Sequence, residues 1–281
     1  MTDHAEFARD LLGLPVAALV PVAGGDICRA FRATAADGTA YFVKVLDAAP
    51  DGFFAAEAAG LRWLASGGAR VPEVVGVGSG GLALRWHDAA PPGPEAAARL
   101  GRDLAALHAA GADAFGARPP GAGASWTGRL PTPTGTFATA AEQLAQRLRD
   151  AARRASLAAA DADAIIAVCD RLPSLLGPAE PPARLHGDLW SGNLLWRRGS
   201  GPMLVDPAAH GGHRETDLAM LQLFGAPYLS EILSAYQDVS PLAPGWEGRV
   251  GLHQLHPLLV HAALFGGSYG ARAAAVAREY L

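Results

Sequence analysis

The 281-residue chain is half hydrophobic and 18% charged, with a formal net charge of -4 at pH 7. That balance carries no basic footprint for nucleic acid, and no uninterrupted apolar run is long enough to span a bilayer. The acidic opening MTDHAEFARD has no apolar core, and the two cysteines, Cys28 and Cys169, lack C-x-x-C spacing; a cytoplasmic protein without a secretory signal, disulfide framework or zinc site is expected.

In chain order, Phe7, Leu11 and Leu14 fall near helical spacing and predict a short helix over 6–12. Strands are expected over 16–22, 28–34 and 41–46, with Gly24-Gly25 turning between the first two and Asp37-Gly38 marking the hairpin before the third. Lys44 lies in that third strand and is the sole lysine among 23 basic residues. A chain that otherwise uses arginine for positive charge thus has one site where a compact ammonium on a flexible stem is used. A helix over 52–66 carrying Glu57 follows, then strands over 74–77 and 82–86.

The run Ala89-Ala90-Pro91-Pro92-Gly93-Pro94 is the clearest break in composition. It is expected to divide an N-terminal part, 1–90, from a C-terminal part, 91–281. Helix 95–110 has Leu100, Leu104 and Leu107 on one face; residues 112–135 form a Gly- and Pro-rich loop of a length that is usually functional or disordered. Two Ala-, Leu- and Arg-rich helices are expected over 138–160 and 161–172, with Arg147, Arg149, Arg153 and Arg154 on a solvated face and Cys169 in the core. From 228 onward the pattern is helical, with His253, His256 and His261 read as packing residues.

The chemistry concentrates in RLHGDLWSGNLLWRRGSGPMLVDPA, residues 184–208. Asp188 is followed five positions on by Asn193, and a hairpin through Arg198-Gly199-Ser200-Gly201 brings Asp206 alongside. This spacing matches the kinase catalytic loop H-R-D-x-x-x-x-N and the metal-binding aspartate that follows it. One carboxylate near an attacking hydroxyl and two oxygen ligands for Mg2+, on a short rigid scaffold, are what phosphoryl transfer from ATP requires. In that frame Gly24 and Gly25 let the backbone approach phosphates, Lys44 reaches them, Glu57 holds Lys44, and the backbone of Arg85, Trp86 and His87 lines the purine. His210 and His213 sit in a glycine turn without a third ligand at clear spacing, so no transition-metal site is expected. Thr216 and Asp217 open an apolar helix and are expected to cap it or to tether the catalytic loop from behind.

The segments GGDI, YFVK, RLHGDLWSGNLLW, VDPA, GHRETDLAM and HQLHPLLVHAALFGGSYG together resemble the fructosamine kinase, or ketosamine-3-kinase, family, related to aminoglycoside phosphotransferases. The resemblance implies an α+β, bilobal protein-kinase-like fold with a small β-rich N-terminal lobe and a large, mainly helical C-terminal lobe. It also implies ATP- and Mg2+-dependent phosphorylation of the sugar 3-hydroxyl of ketosamines (fructosamines and ribulosamines, free or protein-bound), which promotes deglycation. Carried over by position, Asp188 is the base, Asn193 and Asp206 the metal ligands, and Lys44 with Glu57 the phosphate clamp. Trp190, which separates this motif from the wider superfamily, is expected to pack against the sugar, to shape its site or to serve the core, with His213 and Glu215 as further substrate residues; an acceptor pocket there that is acidic and open to a bulky amine favours ketosamines, and an acidic closed one a small amino alcohol. A kinase for another amino sugar or amino alcohol, and a nucleotide-binding pseudokinase, are the alternatives. The pseudokinase reading predicts a missing catalytic group, and none is missing.

Overall fold

The computed structural model describes residues 4–23, 27–133 and 135–281, so Gly24 and Gly25 lie outside the described residues. The N-terminal part opens with helix α1 (His4–Leu12) and strands β1 (Val16–Val22), β2 (Arg29–Ala35) and β3 (Ala40–Val45). Helix α2 (Phe53–Ser66) and strands β4 (Val74–Gly78) and β5 (Gly81–Arg85) complete it, and the antiparallel sheet runs in the order β1-β2-β3-β5-β4.

The two-residue period of β3 sorts its side chains. Tyr41, Val43 and Val45 pack with Ala8 and Leu12 of α1 on one face. Phe42 and Lys44 point to the other, where Leu82 and Leu84 pack against Phe54, Ala58 and Leu61 of α2. Lys44 is therefore delivered to the helix that carries Glu57.

The C-terminal part begins with α3 (Pro94–Ala109), whose Leu100, Leu104 and Leu107 enter a core shared with Leu218, Leu221, Ile232 and Tyr236. The loop after α3 holds a small ribbon, β6 (Trp126–Thr127) and β7 (Leu130–Pro131). Helices α4 (Ala140–Arg154) and α5 (Ala159–Leu175) follow, with Cys169 buried among them as expected. Thr139 and Glu142 close a reciprocal capping box that starts α4. The helix ends earlier than its composition suggests because Ala155 is already extended (φ -78°, ψ 139°).

Four short strands then frame the chemistry: β8 (Ala183–Leu185) pairs with β11 (His210–Gly212), and β9 (Leu194–Leu195) pairs with β10 (Met203–Leu204). Helices α6 (Glu215–Phe224), α7 (Leu229–Val239), α8 (Val250–Phe265) and α9 (Tyr269–Arg278) complete the fold. Among the described residues no helix is long and apolar enough to cross a membrane.

The solvated-arginine expectation needs one correction. Arg149 and Arg154 pair at the surface with Asp170 and Asp150, whereas Arg147 turns inward and is 9% exposed.

Candidate active site

Lys44 Nζ donates to Glu57 Oε1 and Oε2 at 3.0 and 2.9 Å and to Asp206 Oδ1 at 2.8 Å. Burial alone would lower the Lys44 pKa, but the Glu57 and Asp206 carboxylates outweigh it and hold the ammonium above its usual range. Asp206 has φ 54°, left-handed and uncommon for a residue with a Cβ. Such backbone strain persists where surrounding contacts fix it, and here it aims the carboxylate back at β3.

Asp188 is half-buried, and its carboxyl is pushed up to about 7 by burial, with Asp206 and Asp217 adding to the rise against the Asn193 hydrogen bond. Asn193 Nδ2 donates to the Asp188 carbonyl at 2.8 Å and to Asp188 Oδ2 at 3.1 Å. That leaves the amide oxygen turned away from Asp188. With the Asp206 carboxylate it makes an oxygen-only donor pair, the chemistry suited to a hard cation such as Mg2+.

The Asp188 loop is gripped from behind. Asp217 accepts from the His186 and Gly187 amides at 2.7 and 2.9 Å, the second of the two roles expected for it, while α6 starts without a side-chain cap. His186 Nε2 donates to the Val205 carbonyl at 2.9 Å, tying the Asp188 loop to the strand end that precedes Asp206. Gly187, with φ 82°, also explains why this motif reads H-G-D: a Cβ there would collide with the Ala208 carbonyl and the His210 ring. Gly192 plays a second steric part, because a Cβ would run into the Trp190 indole that lies across it.

Lys44, Glu57, Asp188, Asn193 and Asp206 line one cleft of about 600 Å³. Its outer wall is aromatic, with Trp190, Phe224, His261, Phe265 and Tyr269 among the lining residues. Trp190 meets Phe224 edge-on at 6.0 Å, and His261 lies 4.8 Å from Phe224 and 5.1 Å from Tyr269 between ring centres. The cleft beside Trp190 is thus lined by rings, and neither the open nor the closed acidic pocket set out from the sequence is found in this lining. The carboxylates lining the cleft are Glu57, Asp188 and Asp206, the three singled out from the sequence.

The side chains of Arg85 and Trp86 are engaged outside this lining, where Arg85 stacks on Tyr41 and Trp86 packs beneath Arg32 and donates to Asp88, while the role expected of Arg85, Trp86 and His87 belongs to their backbone. His213 and Glu215, expected beside the acceptor, are instead buried behind the catalytic loop. Arg249 donates to both Glu215 oxygens at 3.0 and 2.6 Å, and His253, 3.5 Å away, together with the Arg249 guanidinium holds that carboxyl down to about 2 against burial. Ligand atoms of His213, Glu215 and His253 fall within 4.8 Å of one another, a grouping the spacing concealed because His253 comes from α8. With both Glu215 oxygens engaged by a guanidinium, the group is a buried ion-pair network. Conversely, Phe224, His261 and Tyr269 were missed as cleft residues. Their spacing on helices carries no signal beyond packing.

Comparison with known proteins agrees with this geometry. The family profile described as fructosamine kinase matches residues 10–281. A probable ketoamine kinase of Enterococcus faecium is 34% identical over 265 residues, covering 90% of this chain and 92% of its own. A second, from Thermus thermophilus, is 35% identical over 255 residues, covering 89% of each. A crystal structure from Thermobifida fusca assigned as a fructosamine-3-kinase superposes with a TM-score of 0.90 at 46% identity, covering 98% of this chain and 97% of that one. An aminoglycoside phosphotransferase shares the fold at a TM-score of 0.68 and 20% identity. The chain belongs to the fructosamine kinase family.

Proposed function

We propose that this protein is an ATP-dependent kinase that phosphorylates the 3-hydroxyl of ketosamines. The observation that carries the reading is the convergence of Lys44, Glu57, Asp188, Asn193 and Asp206 on one cleft whose further lining is mainly apolar and includes the rings of Trp190, Phe224, His261 and Tyr269. ATP supplies the transferable phosphoryl group and Mg2+ offsets its charge. Residues 1–90 serve as the nucleotide-clamping lobe and 91–281 as the catalytic lobe.

Asp188 accepts the proton of the attacking hydroxyl, a task suited to a carboxyl near neutrality. Asn193 and Asp206 hold the magnesium ion, and Lys44 binds phosphate oxygens while Glu57 keeps its stem in register. The ring faces of Trp190 and its neighbours suit the C–H faces of a sugar and the cationic secondary amine of a ketosamine. A polycationic aminoglycoside would find no carboxylate in this lining beyond the catalytic set.

The test is ADP release with magnesium-ATP and four acceptors: a fructosyl-amine, a ribulosyl-amine, an aminoglycoside and choline. Turnover on a ketosamine that is lost in Asp188→Asn is expected. Turnover confined to the aminoglycoside or choline would overturn the assignment.

A further inference from the structure

Three of the described cationic side chains are buried: Lys44, Arg147 and Arg249. Lys44 is paired with Glu57 and Asp206, and Arg249 with Glu215. Arg147 has no carboxylate partner among the described residues. Its Nη1 donates to His210 Nε2 at 3.0 Å and its Nη2 makes a long 3.5 Å contact to His256 Nδ1.

Neither imidazole brings negative charge. His210 Nδ1 donates to the Ala208 carbonyl at 2.9 Å, so its Nε2 carries the lone pair that faces the guanidinium. Burial and the adjacent Arg147 charge hold His210 down to about 3, and His256 is likewise held well below its ordinary value. Burial lowers Arg147 as well, to about 10, which leaves it a cation at neutral pH. The acid whose field reaches it, Asp217, is committed to His108 and the catalytic-loop amides. An interior charge met only by neutral acceptors is strongly unfavourable.

Arg147 also borders a cavity. Beneath the Gly- and Pro-rich loop lies a space of about 20 Å³ walled by Ser125, Thr132, Gln143, Gln146, Arg147 and His210. It has room for a water molecule or the head of a compact anion, and its polar walls include hydroxyl and amide donors. Ser125 and Ala208 line both this cavity and the catalytic cleft, so the two spaces adjoin.

We propose that Arg147 is a carboxylate-binding residue whose planar fork receives one carboxylate in the cavity beside the cleft. The carboxylate has two sources. It is carried by the substrate, when the ketosamine is formed on the α-amine of an amino acid, or it is a free small carboxylate. The first source rests on the ketosamine kinase reading, and the second does not.

Fructosyl-glycine and fructosyl-methylamine differ only in the carboxylate, and their steady-state kinetics on the wild-type enzyme separate the cases. At least about tenfold lower KM for fructosyl-glycine, falling to near parity in Arg147→Met and partly retained in Arg147→Lys, identifies the substrate's own carboxylate. In parallel, melting curves in potassium formate are compared with curves in potassium methanesulfonate at equal ionic strength. A formate-specific rise in Tm that Arg147→Met lacks, with equal KM values, identifies a free carboxylate. Equal KM values together with no formate-specific rise in the wild type overturn the proposal, and that result needs no variant to fold. Turnover of fructosyl-methylamine reports separately on the kinase reading. If neither sugar is turned over, the melting comparison still decides for or against the site.

Discussion

Lys44 Nζ and Asp206 Oδ1 lie 2.8 Å apart although 162 residues separate them in sequence. The contact joins the third strand of the sheet to the end of the catalytic hairpin. Through the same ammonium, Glu57 on α2 becomes part of the site. Breaking a buried pair by removing one partner leaves the other charge uncompensated, at a cost of about 3 kcal/mol. Lys44→Met is therefore expected to lose about that much stability along with at least ~100-fold in kcat, the scale of a removed charge-stabilising donor. Lys44→Met/Glu57→Gln should recover stability without activity. Denaturant melts and turnover on the two variants check this, and a double mutant as unstable as the single one would sink the account.

Asp188 carries a tension between stability and chemistry. Its folded carboxyl sits near 7 because of burial and its acidic neighbours, against about 3.9 for an unfolded aspartate. Between those values the folded form holds a proton that the unfolded form has released. This group's contribution to stability is therefore full below about pH 4 and is lost as the pH rises through about 7. Asp188→Asn should stabilise the fold by roughly 2 kcal/mol at pH 8, allowing for partial exposure, while kcat falls by about 10²- to 10⁴-fold. In the wild type kcat/KM should rise with pH through about 7. Melts at pH 5 and pH 8 with a pH–rate profile test both halves.

Asp217 behaves with the opposite sign. Burial would raise its carboxyl, but hydrogen bonds and charge from His108, together with His186 and the Gly187 amide, bring it below the ordinary range. Its stabilisation is present above the unfolded value near 4 and is lost as pH falls below that. Asp217→Ala leaves the His186 and Gly187 amides without their acceptor and is expected to cost about 3 kcal/mol. Nearly equal stability of variant and wild type at pH 7 would contradict the tether.

Trp190 is 38% exposed, so replacing it should scarcely affect folding. If its ring faces the sugar, Trp190→Leu should raise KM for a ketosamine about 3- to 10-fold, the value of one aromatic contact, and leave KM for ATP unchanged. Gly192→Ala should act in the same direction by displacing the indole that lies across it. Unchanged ketosamine KM and kcat in Trp190→Leu would remove Trp190 from the substrate site.

The parts of this site that could be read from sequence are those written in local patterns. Strand alternation places Lys44 opposite α2, and the hairpin between Asn193 and Asp206 declares itself through its turn residues. The Asp217 tether was one of two roles a helix start allows, and only the fold, which brings the His186 and Gly187 amides to its carboxylate, decides between them. Arg147 was illegible because an arginine on an amphipathic helix next to other arginines has the pattern of a solvated face. Only tertiary packing brings His210 and His256 to it from β11 and α8. His261 illustrates the same limit, since a helical histidine shows no sign in sequence that the loop over 119–128 will leave its ring lining a cleft. His213 and Glu215 sit in a motif-like run, yet the partners that draw them inward, Arg249 and His253, come from beyond α7.

The most direct test of the central claim is the fate of the acceptor after one round of turnover. With fructosyl-methylamine and magnesium-ATP, phosphorus and proton NMR should show a phosphoester on the sugar 3-carbon, followed by free methylamine equal in amount to the ADP formed. A stable phosphoester at another hydroxyl, or ADP formed without release of the amine, would contradict the account.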